Sequence, residues 1–199
     1  MSSKVIFLLA LLCVSLSPAP AAAHRPRFLA GVTGDALVQK ACRGVGKYEP
    51  ECLKILRATD KLDKGDSMDL AFFTLRYVES HAYNLTVEIK KAAAEPDLGP
   101  MFQSALAECM EQYIPLDDLV EDGINAMLAE ANSDSRDFID AAITSMDICD
   151  GQLQSSYEEE KADKETKSDS SPDFQIAEAL KQHNEFLRAM LKAALNIIN

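Results

Sequence analysis

The sequence predicts an all-α fold: an antiparallel, up-down-up-down four-helix bundle behind a short N-terminal α-hairpin, closed by two disulfides. Three observations carry that expectation. Apolar residues recur at three- and four-residue spacing through four long segments. Trp is absent, and Gly and Pro number only eight each, too few punctuating residues for a turn-rich β-sandwich. Beyond the first residues the chain holds four cysteines, a close pair (Cys42 and Cys52) and a distant pair (Cys109 and Cys149).

The chain opens with a targeting pattern. Lys4 supplies a positive n-region, Val5 to Leu16 an apolar h-region, and Ala21 and Ala23 the small residues of a cleavage site. Residues 1–23 therefore read as a signal peptide, whose removal discards the fifth cysteine, Cys13. The apolar run is shorter than the roughly 20 residues of a membrane span, and no later segment is longer without charge. Secretion makes two disulfides the expected state of four cysteines, with three connectivities open.

Residues 24–34 form a leader without periodicity. Asp35 is placed as the N-cap of a short helix through Ala36, Leu37 and Ala41, ending at Gly44 and Gly46. Pro50 starts a second short helix with Leu53, Ile55 and Leu56. Cys42 and Cys52 flank the bend, so a bond between them would tie the hairpin, worth roughly 2.7 kcal/mol of loop entropy.

Asp66 and Ser67 precede the first long helix, whose stripe is Phe72, Leu75, Val78, Ala82, Leu85 and Ile89; Glu95-Pro96 ends it. Pro100 opens the second, with Phe102, Ala105, Leu106, Cys109, Tyr113, Leu116, Val120, Ile124 and Met127; Pro115 inside it is expected to kink or break it. After Asn132-Ser133-Asp134 the third presents Phe138, Ala142, Ile143, Met146, Cys149 and Leu153. Residues 158–173 are acidic and polar and read as a fraying helix end with a solvated linker. Ser171-Pro172 starts the last helix, with Phe174, Ile176, Leu180, Leu187, Leu191, Leu195 and Ile198 inward. A bond between Cys109 and Cys149 would staple two long helices, worth roughly 4 kcal/mol, and centres their turn near residue 129.

Chemistry-bearing constellations are missing. His24, His81 and His183 lie far apart, with no ligand partner at metal spacing. No H-E-x-x-H, G-x-S-x-G or glycine-rich phosphate loop occurs. Asp117, Asp118, Glu121, Asp122 and Gly123 do not match EF-hand ligand positions and read as a solvated helix face. No catalytic residue, metal ligand or cofactor is therefore assigned, and the chain reads as a non-enzyme. Its 20 basic and 32 acidic residues give a net charge of −12, which excludes nucleic acid and anionic membranes and suits a basic partner. Asn84-Leu85-Thr86 is an N-glycosylation acceptor pattern, with Asn84 just off the apolar stripe. Met110, Met127, Met146 and Met190 sit at helical spacing and raise a second possibility, a bundle that carries a small apolar ligand.

Across residues 35–199 the chain resembles the plant invertase/pectin methylesterase inhibitor family. The likeness rests on Cys42-Arg-Gly-Val-Gly-Lys-Tyr48-Glu-Pro50-Glu-Cys52, on Ala105-Leu106-Ala107-Glu108-Cys109-Met110-Glu111-Gln112-Tyr113, and on Ala141-Ala142-Ile143-Thr144-Ser145-Met146-Asp147-Ile148-Cys149. Ala193-Ala194-Leu195-Asn196-Ile197-Ile198 is similar to the family's last helix. The resemblance implies a four-helix bundle with an α-hairpin and disulfides joining first to second and third to fourth cysteine. It also implies a secreted protein of the apoplast and cell wall that covers the substrate cleft of a carbohydrate enzyme in a one-to-one complex.

Several invertase inhibitors of the family carry Pro-Lys-Phe before the fourth-cysteine helix. Here the region reads Asp134-Ser135-Arg136-Asp137-Phe138, which favours pectin methylesterase as partner over an acid (cell-wall or vacuolar) invertase, with Phe138 taken as core. Departures are the Gly44-Val-Gly46 insertion, Asp150-Gly151 one position early, and Leu153 where Phe is usual. A non-inhibitory wall protein is the further alternative. The residues that would touch a partner are not legible.

Overall fold

The structure is a computed structural model that describes residues 34–59, 67–163 and 171–198. The expected signal peptide over residues 1–23, with Cys13, lies outside the described residues, as do the expected leader up to residue 33 and the middle of the acidic linker. Every described element is helical. α1 (Gly34–Cys42) and α2 (Glu49–Arg57) form the hairpin, joined by a 3₁₀ turn over Gly46–Tyr48. The long helices are α3 (Ser67–Ala93), α4 (Pro100–Leu128), α5 (Asn132–Asp163) and α6 (Pro172–Ile197). None of them is long and apolar enough to cross a membrane.

Contacts run α3 to α4, α4 to α5, α5 to α6 and α6 back to α3, the closed ring of a four-helix bundle. α5 runs antiparallel to both α4 and α6, because paired positions rise on one helix as they fall on the next. Cys109 meets Cys149 while Gly123 meets Ser135 and Ile139. Asn184 meets Asp150 while Phe174 meets Tyr157. The hairpin packs on α6, with Val38, Ala41, Cys42, Cys52 and Leu56 fully buried.

Local chemistry explains the ends. The bend after α1 uses Gly44 (φ 79°) and Gly46 (φ 72°), conformations that L side chains avoid. Asp35 sits in the first turn of α1 rather than at its cap; its carboxylate accepts from Gln39 (2.7 Å) and pairs with Arg57 of α2 (2.9 Å). At the end of α4 the N–H of Ala131 reaches the Ala126 carbonyl (2.9 Å) around Glu130, which holds a positive φ of 61°. This is a Schellman-type cap with Glu where Gly is usual. Ser171 caps α6 by accepting from the Phe174 N–H (3.3 Å), and Pro172 fills the first turn.

Three further expectations need correction. Of the kink or break expected at Pro115, the break does not occur: α4 runs unbroken through it. The ring lies on the exposed face, so the carbonyl that loses its helical partner faces water, while Tyr113 and Leu116 hold the helix to the core. Phe138 is not the core residue of α5. Ile139 is fully buried and Phe138 only half-buried, because the stripe runs Ser135, Ile139, Ala142, Met146, Cys149, Leu153. Asp173, assigned to the solvated linker, is buried in the first turn of α6 and accepts from the Gly99 N–H at the start of α4 (3.4 Å).

Candidate partner-binding surfaces

The disulfides join Cys42 to Cys52 (Cα–Cα 5.7 Å) and Cys109 to Cys149 (Cα–Cα 4.4 Å). All four cysteines are fully buried, so none is available as a nucleophile or ligand. Around the second bond lies a polar network that the sequence reading missed. Tyr113 donates its hydroxyl to Asn184 Oδ1. Asn184 Nδ2 in turn donates to Asp150 Oδ1 (2.5 Å) and lies 3.7 Å from Cys149 Sγ. Arg188 Nη1 sits 2.7 Å from Asp150 Oδ2 and 3.0 Å from Asp147 Oδ1.

Burial pushes the Asp150 carboxyl above the usual carboxylate range, opposed by the Asn184 hydrogen bond and by Arg188. Burial raises Tyr113 far above the usual phenol range, keeping it a donor. These groups link α4, α5 and α6 by hydrogen bonds and ion pairs. The network acts as a core brace. One signal could have revealed it: Asn184 is a polar residue on the apolar stripe between Leu180 and Leu187.

Gly123, set aside with the acidic stretch, has a packing role. A Cβ there would stand 3.3 Å from Ile139 Cγ1, and the Ser135 hydroxyl donates to the Gly123 carbonyl (2.7 Å). Glycine lets α4 and α5 approach closely. Asp117, Asp118, Glu121 and Asp122 are exposed. Asp117 is raised first by desolvation and then by the neighbouring Glu79, Asp118 and Glu121. Among the described residues no group of three His, Cys, Asp or Glu could hold a metal ion.

Two surface grooves stand out by their volume among the described residues. The first, of about 540 Å³, lies between α4 and α5, with Met101 and Ile148 on its rim and Ser104, Gly151 and Ser155 within. Met101 and Ile148 are exposed, and a Cβ at Gly151 would meet nothing within 4 Å. Glu108 and Glu159 line it as well. The second, of about 450 Å³, lies between α3 and α6 and is lined by His81, Asn84, Leu85, Glu88, His183 and Phe186, among others.

Residues distant in sequence meet in this second groove. His81 stacks on Tyr77 (3.9 Å between centroids) with Nδ1 2.8 Å from the Tyr77 carbonyl, and His183 is exposed. The four methionines line neither groove. Met127, Met146 and Met190 are fully packed core, and Met110 lies against it. Both grooves are open to solvent and carry acidic side chains, Glu108 and Glu159 in the first and Glu88 in the second.

No curated protein and no solved structure matches the chain. The family model described as plant invertase/pectin methylesterase inhibitor matches residues 36–197, nearly the whole described chain. That span takes in both stapled cysteine pairs, the bundle and both grooves, and the chain belongs to the plant invertase/pectin methylesterase inhibitor family.

Proposed function

We propose that this chain is a secreted inhibitor of pectin methylesterase, forming a one-to-one complex that covers the enzyme's substrate cleft. In this reading residues 1–23 are the signal peptide, 24–34 a leader, and 35–199 the inhibitor domain, delivered to the apoplast and cell wall. Family membership supports inhibition of a pectin methylesterase or an invertase. The choice of the esterase rests on the first turns of α5, where Asp134-Ser135-Arg136-Asp137-Phe138 lacks a proline and carries an acid before the Phe.

The α4–α5 groove is the contact face. Exposed apolar side chains rimmed by charge mark contact sites, and Met101 and Ile148 with Glu108 and Glu159 answer that description. A standard interface buries about 1,600 Å² in total, and the two disulfides keep the face rigid, lowering the ordering cost of association. The net charge of −12 steers a basic enzyme, so association slows as salt rises.

The test is a paired titration of mature, oxidised protein into a pectin methylesterase and a cell-wall invertase near wall pH. Saturable loss of esterase activity alone, weakened more than tenfold in Ile148→Lys, establishes the reading. Loss of invertase activity alone moves the target to the sister class. Inhibition unchanged in Ile148→Lys removes the α4–α5 face from the interface, and no inhibition of either enzyme overturns the reading.

A further inference from the structure

We propose that Asn84 is a covalent glycosylation site and that the groove between α3 and α6 seats the first N-acetylglucosamine of the glycan. The inference rests on the secretory half of the proposed function and not on the inhibitory half. Asn84-Leu85-Thr86 is the acceptor triplet, and the fold puts Asn84 on the exposed face of α3, at the wall of the groove. The groove's volume lies within the roughly 300–1,000 Å³ of small-ligand sites.

The lining matches a pyranose ring. Leu85 and Leu187 are buried and form an apolar floor, and the half-buried Phe186 ring offers a surface for the sugar's C–H face. Phe186 is held in place by edge contacts with Tyr48 (5.6 Å) and Tyr77 (6.2 Å). Exposed His183 and Glu88 supply polar groups for the hydroxyls and the acetamido group. A sugar tethered at Asn84 would also cover Val87, which is 53% exposed beside it.

In the transfer, Asn84 Nδ2 attacks the anomeric carbon of a polyprenyl-diphosphate-linked oligosaccharide. The N–C bond forms as the C–O bond to the diphosphate breaks. The diphosphate leaves with the electron pair, and the amide gives one proton to the transferase. The folded helix is a poor acceptor, because Thr86 Oγ1 is turned back onto the Ala82 carbonyl (3.0 Å) inside α3. Transfer therefore precedes helix formation, on the nascent chain. The glycan then closes the α3–α6 face to partners and leaves the α4–α5 face open.

The experiment expresses the full chain through a eukaryotic secretory pathway, with its own residues 1–23 and in parallel behind a heterologous signal. Peptide mass spectrometry follows, before and after a glycoamidase that converts the modified Asn to Asp. Wild-type protein should carry a glycan at Asn84, while Asn84→Gln and Thr86→Ala should each be secreted without it. Folded protein made without glycan should not be modified by added microsomal transferase. Unmodified Asn84 in secreted, disulfide-bonded wild type behind either signal overturns the site. Modification only behind the heterologous signal supports the site and overturns the reading of residues 1–23. With the glycan trimmed to one sugar, nuclear Overhauser contacts from its acetamido methyl to the Phe186 ring should appear. Their absence overturns the seat.

Discussion

The hairpin and the bundle core are each closed by a buried disulfide, yet different forces hold them. The hairpin buries Val38, Ala41 and Leu56 in the shared apolar core, and polar links at its edge add to its hold on α6. Lys47 pairs with Glu185 (2.5 Å), the Tyr48 hydroxyl donates to the Gln182 carbonyl (3.0 Å), and Asn196 donates to the Ala41 and Arg43 carbonyls. The bundle is braced from inside, where Tyr113, Asn184, Asp150 and Arg188 join three helices beside Cys109–Cys149. The hairpin is thus a short-range loop that joins the core through apolar packing and edge polar links, and the brace is a long-range unit whose parts depend on one another. Loosening of the hairpin is expected to leave the brace intact.

Removing the staples tests that contrast most severely. Replacing Cys109 and Cys149 together by Ala should cost about 4 kcal/mol, against about 2.7 for Cys42 and Cys52, as read by denaturant unfolding. Equal losses would mean that the hairpin and core unfold as one equally constrained loop.

Asp150→Ala comes next. A buried pair broken on one side costs roughly 3–5 kcal/mol. Here about 2–3 is expected, because both side chains keep some contact with water and Arg188 retains Asp147. A thermal midpoint unchanged from wild type would remove the brace from the account.

Asn196→Ala should cost about 1 kcal/mol, the worth of an ordinary hydrogen-bonding side chain, since it releases the carbonyls at the end of α1. Hydrogen exchange should rise in the hairpin and stay level in α4 and α5. A uniform rise would show that the hairpin is not separable.

The smallest effect is a divergence with pH. Lys47 holds the Glu185 carboxyl below the usual range, and Arg57 and then Gln39 do the same for Asp35. Their stabilisation is present above the ordinary carboxylate pKa and is lost as pH falls through the lowered values. Asp150 is raised, so the folded chain binds that proton more tightly than the unfolded chain. Its contribution favours the fold below the ordinary pKa and fades as pH rises through the raised one. On acidification from about pH 6 to 3, hairpin protection should fall relative to the core, after correction for intrinsic exchange. Asp150→Asn should remove the core's share of the divergence. Parallel profiles for both regions in wild type would contradict the assignment.

Much of the fold was legible because helix periodicity and cap chemistry are local. The stripe of α3 from Leu75 through Val78, Ala82 and Leu85 to Ile89 is buried as its spacing indicates, and Ser171-Pro172 opens α6. Where reading failed, the error was angular. On α5, Phe138 and Ile139 differ by one position, about 100° of helix, and hydrophobicity cannot choose between them. Gly123 and the Ser135 hydroxyl decide it, because the close approach of α4 places Ile139 at the seam. Asp173 was misplaced for a similar reason. Its composition says solvent, but the Gly99 N–H from another helix gives it a buried partner.

By itself, then, the sequence determined the helices, their order, the expectation of two disulfides and the family motifs, because each depends on residues close along the chain. Tertiary structure alone decided the rest. It brought Asn84, His81 and His183 to one groove and set Met101 and Ile148 on the rim of another. It also joined Tyr113, Asp150, Asn184 and Arg188 across three helices. Those meetings depend on how each helix is rotated about its axis, and that rotation is set by packing every helix against its neighbours at once.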